Sequence, residues 1–280
     1  MSGGETLRVA CVQLRSSAVK LGNVATAERL VAEAAGRGAE LVVLPEKWNA
    51  LGSADVYRAV AETLEDGETV AAMRSWARDH GIVLVGGSIT EARAGREKLS
   101  NTSLAFGPDG ELLATYRKIH MFDVEVGGET YRESESQEAG DEIALFDAAG
   151  WRIGLTVCYD VRFPELYRIL ALGGAELVTV PAAFTMHTGR DHWELLLRAR
   201  AVENQCYVAA AAEWGVGDEG RETYGRSMIV DPWGVVIACA PDEDGVIVAD
   251  VERERLRSVR EKLPALANRV PSAYRWPPGG

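Results

Sequence analysis

Along the chain, short apolar runs alternate with stretches whose apolar residues recur every three or four positions, so strands alternate with helices. Residues 7–14 (LRVACVQL) and 40–45 (ELVVLP) read as buried strands. Between them Asn23 is placed to cap a helix with Val24, Ala27, Leu30, Val31, Ala34 and Ala35 on one face, ended by Gly36 and Gly38. A helix over 69–80 and a strand over 82–89 (IVLVGGSI) repeat the pattern. Strands over 102–106 and 112–116 flank Gly107-Pro108-Asp109-Gly110, a hairpin signal. A strand over 151–157 runs into a helix over 164–172 that starts on Pro164. A strand over 176–180 and a helix over 191–204 follow. Strands over 206–212, 227–230, 235–238 and 246–251 close the series.

Strands outnumber helices and several are joined by hairpins, which a purely parallel doubly wound sheet would not show. The pattern fits an α/β sandwich of mixed sheets with helices outside. No linker, low-complexity run or fixed-period repeat divides the sequence, so residues 1–280 read as a single domain. A Pro-rich tail from 264 is too short to fold alone. The polar stretch 123–142 is long for a connection, and such segments often carry function.

Composition narrows the partners. With 47% hydrophobic residues in 280, the chain can bury a large core. A net charge of −12 disfavours nucleic acid and anionic membranes. A small anionic substrate stays possible, because one local Arg or Lys reverses the field in a pocket. No run approaches 18 apolar residues. Residues 1–5 lack the features of a secretory leader. Cys11, Cys158, Cys206 and Cys239 are far apart with no CxxC pair, so the expectation is reduced thiols in the cytoplasm.

Glu46, Lys118 and Cys158 share one address, each just beyond a predicted strand, where α/β sheets assemble sites. Taken singly each has a plainer reading: a helix cap, a solvated charge, a small buried hydrophobe. Cys11, Cys206 and Cys239 fall within strand patterns and take that last reading. Together the three make an acyl-transfer set without histidine. A free thiol ionises near pH 8.5, a neighbouring Lys lowers that value, and a carboxylate accepts the proton as attack begins. A cation at the oxyanion contributes on the order of 3 kcal/mol. Other constellations fail. Gly215-Val216-Gly217-Asp218-Glu219-Gly220 matches a GxGxxG pattern but leads into a strand, and its acids would repel phosphate. His80, His120, His187 and His192 show no i,i+4 pair, so no metal is expected. The glycosylation sequon Asn101-Thr102-Ser103 carries no meaning in a cytoplasmic chain.

The segments LPE (44–46), YRKIHMFD (116–123) and CYDVRFPEL (158–166) resemble the three catalytic blocks of the nitrilase superfamily, and the likeness spans nearly the whole chain. It implies a four-layer α-β-β-α sandwich, Glu46 as general base, Lys118 as oxyanion stabiliser and Cys158 as nucleophile, with no cofactor. A supporting glutamate matches Glu133, with Glu125, Glu129 and Glu135 close by. The Tyr159 backbone N–H would share the oxyanion. The stretches 181–212 and 225–234 are similar to the amidases of deaminated glutathione and to ω-amidase, so a small-molecule amide is the implied substrate. By that likeness Arg162 and Phe184 would hold its carboxylate end, the alternative for Arg162 being a salt bridge to Asp160 or Glu165. The sequence departs from this group at Gly189-Arg190-Asp191-His192 and at Lys47-Trp48 after Glu46. A homodimer packed through helices next to the Cys158 block is implied. An N-carbamoyl amino acid hydrolase uses the same triad but tends to carry two adjacent arginines where this chain has Val161-Arg162. A non-catalytic interaction protein on the same scaffold would be expected to have a broken triad.

Overall fold

The computed structural model describes residues 4–218 and 220–275. Glu219 of the glycine-rich segment and the last five residues of the tail lie outside the described residues. Two mixed sheets face each other. The first has the order Gly245–Glu252, Thr6–Gln13, Leu41–Val43, Val83–Val85, Ser100–Phe106, with Ile89–Glu91 and Leu112–Arg117 also pairing with Ser100–Phe106. Its Thr6–Gln13, Leu41–Val43 and Val83–Val85 strands run parallel and the others antiparallel. The second has the order Val236–Cys239, Met228–Val230, Tyr207–Ala212, Leu177–Ala182, Trp151–Leu155, Leu145–Ala148, with a parallel centre.

Strand alternation sorts the side chains into layers. Val9, Cys11, Leu41, Val43, Val83 and Val85 point between the sheets and meet Trp151, Ile153, Leu155 and Leu177 in one core. Ala10, Val12, Val42, Leu84 and Leu104 point outward. There they pack on Ala27, Leu30 and Val31 of the Lys20–Gly36 helix and on Val70, Met73 and Trp76 of the Glu68–His80 helix. The Pro164–Leu172 and Met186–Asn204 helices cover the other sheet through Leu166, Leu170 and Leu197. The result is the α-β-β-α order.

Several boundaries differ from the sequence expectations. Asn23 does not cap the first helix, which starts at Lys20. It is buried in the first turn, donates to Ser17 O and Asn49 O, and accepts from Ser17 N, tying the helix to the loop beyond Glu46. The Asp191 helix begins earlier, at Met186, capped by Thr185, whose side chain accepts from Thr188 N. The strand expected over 82–89 is broken at Gly86-Gly87. Gly87 has φ +63°, and a Cβ there would strike the Pro45 carbonyl. That close approach lets Glu46 bridge to Ser88, so the break positions a site residue. The polar stretch 123–142 contains a hairpin, Asp123–Val126 with Glu129–Arg132, and the short Glu133–Ser136 helix. Cys239 is not buried. It lies on an edge strand whose alternate residues face outward, whereas Cys11 and Cys206 are buried.

Candidate active site

Each of the three candidate groups leaves a strand end and turns into one cavity of about 530 Å³. Glu46 follows Leu41–Val43, and the amide of the next residue, Lys47, donates to Ser88 Oγ at 3.1 Å. Lys118 follows Leu112–Arg117 and its amide donates to Asn101 O at 2.9 Å. Cys158 opens the 3₁₀ turn Cys158–Arg162 at φ +48°, a conformation that non-glycine residues adopt only when their surroundings hold them. Glu46 and Lys118 come from the first sheet and Cys158 from the second.

The two carboxylates are both ionised but are held by different donors. Glu133 Oε2 accepts from Lys118 Nζ at 2.8 Å and from Phe122 N at 2.9 Å. Its Oε1 accepts from Lys47 Nζ at 3.0 Å and from Asn101 Nδ2 at 3.2 Å. Burial alone would raise its pKa, but Lys118 and Lys47 hold it far below the usual carboxylate range. Glu46 Oε1 accepts from Lys118 Nζ at 3.0 Å and Asn101 Nδ2 at 2.8 Å, and Oε2 accepts from Ala183 N at 3.0 Å across the sheets. The Cys158 thiol lines the same cavity as Glu46 and Lys118. Burial pushes Glu46 up, Lys118 and Lys47 pull it down, and the net shift is downward, so it is ionised and free to take a proton. Lys118 stays charged: burial opposes this, but Glu133 and Glu46 raise its pKa well above the ordinary value.

The thiol departs from the sequence expectation that a nearby lysine lowers its pKa. Burial pushes Cys158 well above the ordinary thiol range, Glu46 adds to that, and Lys118 opposes them without prevailing. The resting sulfur is therefore protonated, and the base must take its proton during attack rather than beforehand.

Of the loop glutamates only Glu133 reaches Lys118 among the described residues; Glu125 pairs with Arg132. Tyr159 N–H stands at the first turn of the 3₁₀ segment, where no acceptor within the turn precedes it. Phe184 lines the cavity. Arg162 lies behind it, with its guanidinium 5.1 Å from the Phe184 ring centroid and Nη1 3.4 Å from His192 Nδ1. It forms no salt bridge among the described residues, because Asp160 is occupied by Tyr116 Oη, His120 Nδ1 and Val157 N. Three residues escaped the sequence reading of the site: Asn101, which bridges both carboxylates, Lys47, and Arg221, which lines the cavity. Lys47 was visible only as a departure from a family pattern. Among the described residues no group of three His, Cys, Asp or Glu side chains is arranged to hold a metal ion.

Behind the Glu46 loop lies a further buried carboxyl, Glu213. Ser16 Oγ lies 2.7 Å from both Trp48 O and Glu213 Oε1. A protonated Glu213 would donate to Ser16 Oγ and leave the hydroxyl proton for Trp48 O. Burial pushes its pKa up to about 8, with Asp244 and Glu46 adding, against hydrogen bonds from Ser16. An unfolded glutamate ionises near pH 4.3, so stability falls as pH rises from there and levels off once the folded group also ionises. Glu213→Gln is expected to raise the melting temperature at about pH 8 and to leave it unchanged at about pH 4. Thermal melts with no pH dependence in that difference would contradict a protonated Glu213.

Such a cysteine, carboxylate and ammonium set at the ends of facing sheets belongs to hydrolases of carbon–nitrogen bonds. Residues 8–261 match the carbon-nitrogen hydrolase family, and the chain belongs to it. It is 42% identical over 268 residues to the omega-amidase NIT2 of Danio rerio, covering 95% of this chain and 96% of the relative. It is 41% identical over 271 residues to the deaminated glutathione amidase of Synechocystis, covering 93% and 97%. Among solved structures, Saccharomyces cerevisiae Nit3, a member of branch 10 of the nitrilase superfamily, superposes with a TM-score of 0.86 at 34% identity, covering 92% of this chain and 94% of Nit3.

Proposed function

We propose that this protein hydrolyses the C–N bond of a small linear amide bearing a carboxylate, such as deaminated glutathione or a 2-oxo acid ω-amide, and releases ammonia. The observation that carries the proposal is the convergence on one cavity of Cys158, an ionised Glu46 and Lys118, which is held between two carboxylates. In the first half-reaction the sulfur attacks the amide carbonyl carbon while its proton passes to Glu46. Lys118 and the Tyr159 N–H face the developing oxyanion. Collapse breaks the C–N bond, the proton on Glu46 goes to the leaving nitrogen, and ammonia departs from a Cys158 thioester. Water then attacks the thioester, Glu46 takes its proton, and the C–S bond breaks to return the thiol and the carboxylic acid. Glu133, saturated by donors, orients Lys118 and moves no proton. The names of the relatives support an amide bearing a carboxylate as substrate.

The chain is proposed to act as one domain and as a homodimer. Exposed Ile169 and Leu172 on the Pro164–Leu172 helix and Leu195 on Met186–Asn204 supply an apolar face beside the Cys158 turn for the second copy.

Ammonia release from 2-oxoglutaramate, deaminated glutathione, a neutral aliphatic amide and a carbamoyl amino acid tests the reading. The first two should be cleaved far faster than the others. Arg162→Ala should raise KM for the carboxylate-bearing amides about tenfold or more, the scale of a charge-assisted pair, and leave the neutral amide within a few fold. Arg221→Ala in parallel tests whether the cavity-lining cation shares that task. Preference for the carbamoyl compound would overturn the substrate class.

A further inference from the structure

Lys47 is a second ammonium in the site, and the mechanism above gives it no step. Its side chain is only 8% exposed. Its ammonium is held within the wall. Nζ lies 3.0 Å from Glu133 Oε1 and 4.3 Å from the Tyr57 ring centroid, and the Gln137 side-chain oxygen accepts from it at 2.9 Å in the amide orientation that satisfies both ends. Its backbone sits at φ +52°, a conformation that long side chains rarely adopt. A strained, buried cation at a cavity wall is maintained by its surroundings. Burial would discharge it, but Glu133 and Glu46 hold it protonated.

Charge balance shows what it changes. Glu46 and Glu133 carry two negative charges and Lys118 one positive charge, so without Lys47 the cavity holds a net negative charge before any substrate enters. With Lys47 the four side chains sum to zero. Arg132, Arg221, Glu135, Asp218 and Glu222 also line the cavity, so Lys47 brings the net charge of the lining from −2 to −1 and weakens the repulsion that an anion meets on entering.

We propose that Lys47 is a specificity-determining residue that admits carboxylate-bearing substrates by cancelling the charge of Glu133, without touching the substrate itself. This rests on the carboxylate-amide reading of the site, but its test is independent of turnover. The second-order rates of Cys158 modification by iodoacetate and by iodoacetamide, followed by peptide mass spectrometry, report entry of an anionic and a neutral electrophile of nearly equal size. Lys47→Asn is the informative variant, since Asn tolerates a positive φ and removes only the charge and the long stem. The iodoacetate-to-iodoacetamide rate ratio is expected to fall about tenfold or more in Lys47→Asn and to stay near wild type in Lys47→Arg. A ratio unchanged in Lys47→Asn would overturn the proposal. So would equal slowing by both reagents, which would mark a purely structural role. An enzyme that cleaves no amide yet shows the shifted ratio would refute the substrate reading and leave the role of Lys47 standing.

Discussion

Replacing Cys158 with alanine is expected to abolish ammonia release, lowering kcat by at least about 10⁴-fold, while the protein stays folded. Removing the nucleophile eliminates the thioester route and leaves only whatever the oxyanion donors do for direct attack by water. The fold should tolerate the change for two reasons. Alanine meets the same steric cost as cysteine at φ +48°, and only one heavy atom leaves a site that is 7% exposed. A cavity of that size costs on the order of 1 kcal/mol. Ammonia assays beside thermal melts check both halves. Turnover near the wild-type rate in a folded variant would remove Cys158 from the mechanism.

Lys118→Met is expected to lose activity to a similar degree and, unlike the cysteine change, to lose much stability. The ammonium, 2% exposed, is shared by Glu46 at 3.0 Å and Glu133 at 2.8 Å. Its removal leaves buried Glu46 without a cation and Glu133 with Lys47 alone, a situation that typically costs about 3–5 kcal/mol. For a chain of this length the melting temperature should fall by roughly 10 °C. Adding Glu133→Gln brings the net charge of the remaining buried groups from −1 to zero, so the double variant should recover part of that loss while remaining inactive. Recovery of activity along with stability would mean that Lys118 serves only to pair Glu133.

That these two residues and Glu46 meet in one cavity was legible in the sequence, because each follows a run of strand-forming residues and three separated blocks in order are specific. The sandwich itself was legible from hairpins such as the one at Gly107–Gly110 mixed with helical periods. What escaped has a common cause. Asn101 sits in Ser100–Phe106, a strand buried on both faces, so no alternation marks its side chain as pointing to the site. The left-handed backbone of Lys47 and the break at Gly86-Gly87 depend on the Pro45 carbonyl lying against Gly87, a contact that no local window contains. The pKa of Cys158 depends on burial, which a reading of neighbouring charges overlooks.

The proposed catalytic set draws Glu46 and Lys118 from one sheet and Cys158 from the other, joined by the bond from Ala183 N to Glu46 Oε2 at 3.0 Å. Reacting groups tolerate little misplacement, since about 1 Å can cost a hundredfold in rate. Any change in the apolar filling between the sheets that slides one over the other moves sulfur relative to base. Residues such as Val43, Leu155 and Leu177 touch no substrate, yet they act as the shims that set the gap in which the proton is transferred. Divergence of this enzyme is therefore constrained through its interior volume as much as through its polar site.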